Sequence, residues 1–364
     1  GLGDVYKRQG IESTRYLAVD ESRMLADPAR YYKGGKPDLQ LFDKKLYEVN
    51  PDDKVAIARA AAEEVLGKDE RIISVDSSYS DGEGSSYRLI SNGFEGESKS
   101  TWFSVSASVS IKGEGEARPQ DYWYDSALFY DKLTKTGIGA KALERVLRKL
   151  GQKKAKSGKY TMVVDPMNVG NLLSPMLSAL YGSALQQKNS FLMDKLDTKV
   201  ASDLFTLRDE PHAIGANGSR YFDNEGVATE PRTVFDKGVL KTYFIDTYNG
   251  KKMDIAPTIS APSRLILTPG DKDLNGLVAD IKQGILVTGF NGGNSNSSTG
   301  DFSYGIEGFL IEDGKLTQPV NEMNVTGNMV TLWNSLVAVG NDPQPNRSWQ
   351  IPSLVFEGVD FSGL

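Results

Sequence analysis

The chain has 364 residues, 39% hydrophobic and 25% charged, and so carries apolar mass enough for two domain cores. A net charge of -6 lacks the basic surplus that holds a phosphate backbone, which argues against direct nucleic-acid binding, and no apolar run is long enough to cross a bilayer. The absence of cysteine removes disulfides, thiolate nucleophiles and Cys-based metal sites together, while a single histidine excludes a His-rich zinc site.

Residues 1–10 start without Met and read as a non-native leader rather than folded sequence; with no secretory signal there, a cytoplasmic location is expected. Asn50, Pro51, Asp52 and Asp53 place a cap, a first-turn proline and two acids ahead of an alanine-rich run that Gly67 stops, predicting a helix. Phe103, Val105, Ala107, Val109 and Ile111 alternate with Ser104, Ser106, Ser108 and Ser110, the period of a half-buried strand. The preceding SSYRLISNGFEGE supplies a partner strand and a Gly-rich turn. Leu143, Val146, Leu147 and Leu150 fall at helical spacing. The lysine-rich GQKKAKSGK that follows lacks interleaved aromatics and reads as a solvated connector, placing the boundary between a first domain, residues 11–158, and a second, residues 159–364.

YTMVVD opens the second domain as a short buried strand. SPMLSALYGSALQQ then reads as a helix with Ser174 as cap and Pro175 in its first turn. Leu173, Met176, Leu177, Leu180, Ala184 and Leu185 make its apolar face, and it bears no charged side chain. TVFDKGVLKTYFIDTY and GFLIEDGKLTQPV read as hairpins with Asp and Gly turns, RLILTPG and GILVTGF as strands, and DKDLNGLVADIKQG as a helix. Helices and strands mix without strict βαβ alternation, which predicts an α+β fold: an N-terminal α/β domain and a hairpin-rich C-terminal β domain.

Chemistry is sparse. Asp223 and Glu225 in FDNEG form the densest oxygen-ligand candidate for a hard cation, against a turn whose acids face water. His212 beside Asp209 or Glu210 is a candidate general base, against an ordinary loop histidine; no G-x-S-x-G elbow accompanies it. GFNGGNSNSSTGDFSYGIEGF reads as a long flexible loop, in which Gly292 and Gly293 admit close approach of a peptide backbone.

The succession VVDPMNVGNLLSPMLSALYGSALQQKNSFL, RYFDNEGVATEPRTVFDKGVLKTYFIDTYNGKKM, TGDFSYGIEGFLIEDGKL and GNMVTLWNSLVAVGNDPQPN resembles the TldD/PmbA family throughout the second domain, more weakly over residues 13–158. By that resemblance about the first half of the N-terminal domain is absent. The family, once labelled modulators of DNA gyrase, includes metalloproteases that degrade unfolded peptides and mature peptide antibiotics. Its catalytic TldD type carries H-E-x-x-x-H on a helix and a late Cys as zinc ligands. The matching helix here holds Pro175, Met176, Leu177, Ser178, Ala179, Leu180 and Tyr181, a vacated metal-site position.

The resemblance therefore implies a PmbA/TldE-type subunit, a pseudoenzyme with no catalytic residue, metal or cofactor of its own. It would pair with a TldD-type catalytic subunit and supply half of a cavity for unfolded peptide, faced by Gly292, Gly293, Asn294 and Asp301 of the loop and by Asp223 and Glu225 of FDNEG. Two alternatives stand beside it: a self-sufficient hydrolase using His212 or the acidic pair, and a homodimeric or larger homo-oligomeric peptide-binding protein.

Overall fold

The computed structural model describes residues 2–364; Gly1, the first residue of the expected leader, lies outside them. The remainder of that leader is not unfolded but continues into helix α1 (Leu2–Thr14). Residues 3–19 are exposed, so local bonds such as Ser13 Oγ to the Gln9 carbonyl at 2.8 Å hold the turn rather than packing.

Helix α2 (Pro51–Glu63) begins as its sequence dictates: the Asn50 side chain accepts from the Asp53 N–H at 2.8 Å, and Pro51 occupies the first turn. Strands β1 (Ile72–Ile90), β2 (Phe94–Ile111) and β3 (Gln120–Ala127) form one antiparallel sheet in that order. The alternation of β2 sends Phe103, Val105, Ala107, Val109 and Ile111 inward and leaves its serines half-buried on the other face. β1 is longer than SSYRLI suggests, because the polar IISVDSSYSDGEG ahead of it also pairs, Tyr79 opposite Val105. Helix α3 (Ile138–Leu147) lies over the inward face with α2. The Glu64 carboxylate caps α3, accepting from the Gly137 and Gly139 N–H groups at 2.6 and 2.8 Å, where the helix dipole favours a negative charge. Position 139 must be glycine, since a Cβ there would lie 1.9 Å from the Ala61 carbonyl oxygen.

The following segment runs β4 (Gly158–Val164), α4 (Gly170–Ser178) and α5 (Gly182–Gln186). Next come β5 (Leu207–Asp209), β6 (Arg232–Asp236), β7 (Val239–Leu240), α6 (Thr247–Met253), β8 (Leu265–Leu267) and α7 (Leu274–Ala279). The chain ends with β9 (Gln283–Ser295), β10 (Asp301–Glu312), β11 (Lys315–Asn328), α8 (Met329–Asn334), β12 (Leu336–Val339), β13 (Trp349–Gln350) and β14 (Leu354–Ser362).

A six-stranded sheet in the order β11-β10-β9-β4-β14-β12 curls until β11 also pairs with β14. β4 and β9 run parallel, and the other neighbours are antiparallel. A smaller sheet follows the order β13-β8-β5-β6-β7. Both hairpins read from sequence are present. Their turns, Lys237-Gly238 and Asp313-Gly314, take positive φ at both positions, the twist that two-residue hairpins require. The fold is thus α+β, with one core under α2 and α3, a large one around α4 and Trp333, and a small one between α7 and the six-stranded sheet.

Two expectations are corrected. The bare helix is two helices, α4 starting at Gly170, so Ser174 is not its cap and Pro175 sits inside it. The cause lies upstream: the turn Asp165–Asn168 nucleates the helix, with the Val169 N–H donating to the Asp165 carbonyl at 3.2 Å. The long flexible loop is also largely strand. β9 runs on to Ser295, β10 resumes at Asp301, and Tyr304 pairs with Gly293.

Candidate functional site

The α4–α5 break organises this part of the molecule. Leu172, Leu173, Met176, Leu177, Ala179 and Leu180 are buried, Pro175 and Tyr181 half-buried and Ser178 exposed. After Leu180 the helix yields to a strand-like exchange: the Phe244 N–H donates to the Leu180 carbonyl at 2.9 Å, and the Gly182 N–H to the Phe244 carbonyl at 2.8 Å. Burial pushes the Tyr181 phenol above its ordinary value. From Gly170 to Gln186 no Asp, Glu, His, Lys, Arg or Cys occurs, so the segment offers neither a metal donor set nor an acid–base pair.

The other acids and the histidine singled out by sequence are each committed to local structure. Asp223 does not face water: it is 2% exposed and accepts the N–H groups of Glu225, Val227 and Ser260 at 2.9, 3.0 and 3.0 Å. Glu225, half-buried, accepts both the N–H and hydroxyl of Thr247 at 3.0 Å, at the start of α6. Burial pushes its carboxyl above the ordinary range. The water-facing turn is therefore overturned. The backbone donors of this turn would otherwise be buried unpaired, and the acids satisfy them. Among the described residues, no three His, Cys, Asp or Glu side chains gather to hold a metal ion.

His212 does not meet Asp209 or Glu210. Its Nε2 lies 3.0 Å from the Thr229 hydroxyl and its ring 5.0 Å from that of Tyr221, and burial holds its pKa below the ordinary value. Asp209 spends one oxygen on the Ser263 and Arg264 N–H groups at 2.9 and 2.8 Å, and Glu210 accepts from Arg208 at 2.7 Å.

The β9–β10 tip docks onto the segment after α5. The Phe191 N–H donates to the Ser297 carbonyl at 2.9 Å, and the Ser298 hydroxyl to the Asn189 side chain at 2.6 Å. Gly292, Gly293 and Asn294 are exposed on this extension. Gly293 has φ +90°, and a Cβ there would lie 2.1 Å from the Ser303 carbonyl oxygen, so its glycine serves a strand kink. Asp301 accepts from Thr299 and Asn328 at 2.7 and 3.0 Å, and those bonds hold its carboxyl below the ordinary value.

Sequence reasoning missed the buried Asp165, which accepts from the Asn168 N–H and side-chain amide at 3.0 and 2.7 Å while that amide also reaches the Thr288 carbonyl at 2.8 Å. Its signal was present as an acid directly after a buried strand, in DPMN. Also missed was the chain of ion pairs between Asp121, Arg145, Lys149 and Glu307, for which no local pattern exists.

Residues 44–150 match the model of the PmbA/TldA metallopeptidase central domain and residues 157–363 that of its C-terminal domain. The "Metalloprotease PmbA homolog" of Haemophilus influenzae is 29% identical over 96% of this chain and 78% of its own length. "Metalloprotease PmbA" of Escherichia coli O157:H7 is 27% identical over 97% and 78%. A crystal structure of a proposed modulator of DNA gyrase from Bacteroides thetaiotaomicron is 72% identical and superposes with a TM-score of 0.97, covering 99% of this chain and 82% of that one. TldE from Thermococcus kodakarensis, 22% identical with a TM-score of 0.79 over 98% and 83%, shares the fold. No described helix is long and apolar enough to cross a membrane. With the C-terminal model matched over more than half its residues, the chain belongs to the PmbA/TldD metallopeptidase family.

Proposed function

We propose that the chain is a PmbA/TldE-type, non-catalytic subunit of a two-component cytoplasmic zinc peptidase, holding unfolded peptide for a TldD-type partner that supplies the metal. One observation supports the reading: α4–α5, which we read as standing in the place of the family's catalytic helix, presents buried leucine, methionine and alanine where a zinc site needs imidazole and carboxylate. The residues present do not fit the family's metal, and the buried acids nearby are spent on backbone donors. No step of the chemistry is assigned to this chain. We assign residues 11–158 and 159–364 to its two domains. The exposed β9–β10 extension around Gly292–Asn294 is its peptide-facing edge, because β4 pairs with β9 only from Gly284 to Val287 and beyond Thr288, whose carbonyl takes the Asn168 amide, no strand pairs with that side of β9 among the described residues.

The test is cleavage of an unfolded peptide by this chain, by a TldD-type partner, and by the mixture, each with and without a zinc chelator. Activity confined to the mixture and lost with chelator is expected. Cleavage by this chain alone overturns the reading, and its loss in His212→Ala would name the catalyst.

A further inference from the structure

Where the three-stranded sheet meets the six-stranded one, a cavity of about 320 Å³ opens, lined in part by Tyr122, Arg145, Met167, Asn168 and Phe290. Its charged side chains are well shielded: Asp121 is 6% exposed, Lys149 12%, Arg145 15% and Glu307 17%. Lys149 is fully committed, its ammonium reaching Glu307, the Gln120 carbonyl and Asp121 at 2.8, 3.0 and 3.2 Å. Arg145 is not. Its Nε donates to Asp121 at 3.2 Å and its guanidinium lies 5.5 Å from the centre of the Trp123 ring, while its two terminal nitrogens make no hydrogen bond among the described residues. Asp165 influences it electrostatically without pairing, and burial pushes that carboxyl toward its neutral form.

Terminal guanidinium N–H donors without an acceptor in a shielded cavity are matched to a planar anion that accepts two parallel hydrogen bonds. The adjacent carboxylates of Asp121 and Glu307 disfavour a dianion such as phosphate, leaving a monoanionic carboxylate as the fitting charge. The second Glu307 oxygen carries no hydrogen bond among the described residues and offers an acceptor for a ligand N–H. Tyr122, Met167 and Phe290 supply apolar wall.

We propose that this cavity binds the C-terminal carboxylate of a short peptide, Arg145 gripping the carboxylate and the apolar wall receiving the last side chain. The assignment rests on the peptide-handling reading and makes this chain a holder of peptide ends, selective for a free C-terminus.

The measurement is calorimetric titration of the full chain with leucyl-leucine and with leucyl-leucinamide, which differ only in the terminal charge. The free acid is expected to bind at least about tenfold more tightly, the size of a lost charge-assisted pair. Arg145→Gln erases that difference, and Arg145→Lys, a point charge without the fork, restores part of it. Equal binding of acid and amide, or binding of neither, overturns the proposal. That comparison uses the unaltered protein, so it decides the matter even if the Arg145 variants fail to fold. If the mixture with a TldD-type partner still cleaves unfolded peptide while leucyl-leucine does not bind, the carboxylate site falls and the subunit reading stands.

Discussion

The α4–α5 segment and the Phe222–Gly226 turn both contact α6, and they distribute polarity in opposite ways. The helix pair is mostly buried apolar side chains and carries no charge. The turn, which has no regular structure, buries a carboxylate and spends it on three backbone N–H groups. At this turn the buried charge satisfies irregular backbone, and the helix pair needs none, because the interior bonds of a helix satisfy themselves. Acidic residues alone were thus a poor guide to chemistry here.

The sharpest way to break that contrast is Asp223→Ala, which leaves three donors unpaired in a dry site. A loss of about 4 kcal/mol is expected in urea unfolding, with Asp223→Asn recovering part of it. A loss under about 1 kcal/mol would mean the turn is not organised by its acid. On the helix side, Leu173→Ala removes a fully buried side chain and should cost about 3 kcal/mol, with no change in the peptide cleavage supported by a partner once folding is restored at lower temperature. A selective loss of cleavage with intact stability would show that this apolar face does more than pack. His212→Ala gives up one hydrogen bond to Thr229 and the contact with Tyr221, so about 1 kcal/mol of stability and none of the mixture's activity should disappear.

The same contrast explains what could be read from the sequence. The β2 alternation, the Asn50 cap and the two Asp/Gly hairpins were legible because each is set by neighbours within a few residues. The start of α4 was misplaced because Pro175 mimics a first-turn proline, whereas the Asp165 turn five residues before Gly170 had already begun the helix. The β9–β10 extension was read as loop because Gly, Asn and Ser favour turns, yet cross-strand pairing such as Phe302 with Ser295 overrides that preference. The acid roles were illegible for a different reason. Asp223 meets Ser260, and Asp209 meets Ser263 and Arg264, across separations that no local pattern encodes.

Asp165 supplies the gentlest and most discriminating test, since it lies beside the helix yet behaves like the turn. Burial raises its carboxyl pKa in the folded state, so the protonated form is favoured there. The sign follows from linkage: the stabilising contribution is complete below the ordinary carboxylate value of 3.8 and is lost as pH rises through the raised folded value. Asp165→Asn keeps an oxygen for the Asn168 N–H and amide while removing the charge. Thermal unfolding of the variant should therefore match the wild type at about pH 3.5 and exceed it increasingly toward neutral pH. A variant less stable at neutral pH would show instead that the ionised carboxylate is wanted, with the Arg145 charge outweighing burial. That outcome would draw Asp165 into the ion-pair chain joining the two sheets, and it would weaken the case that Arg145 is free to hold a ligand.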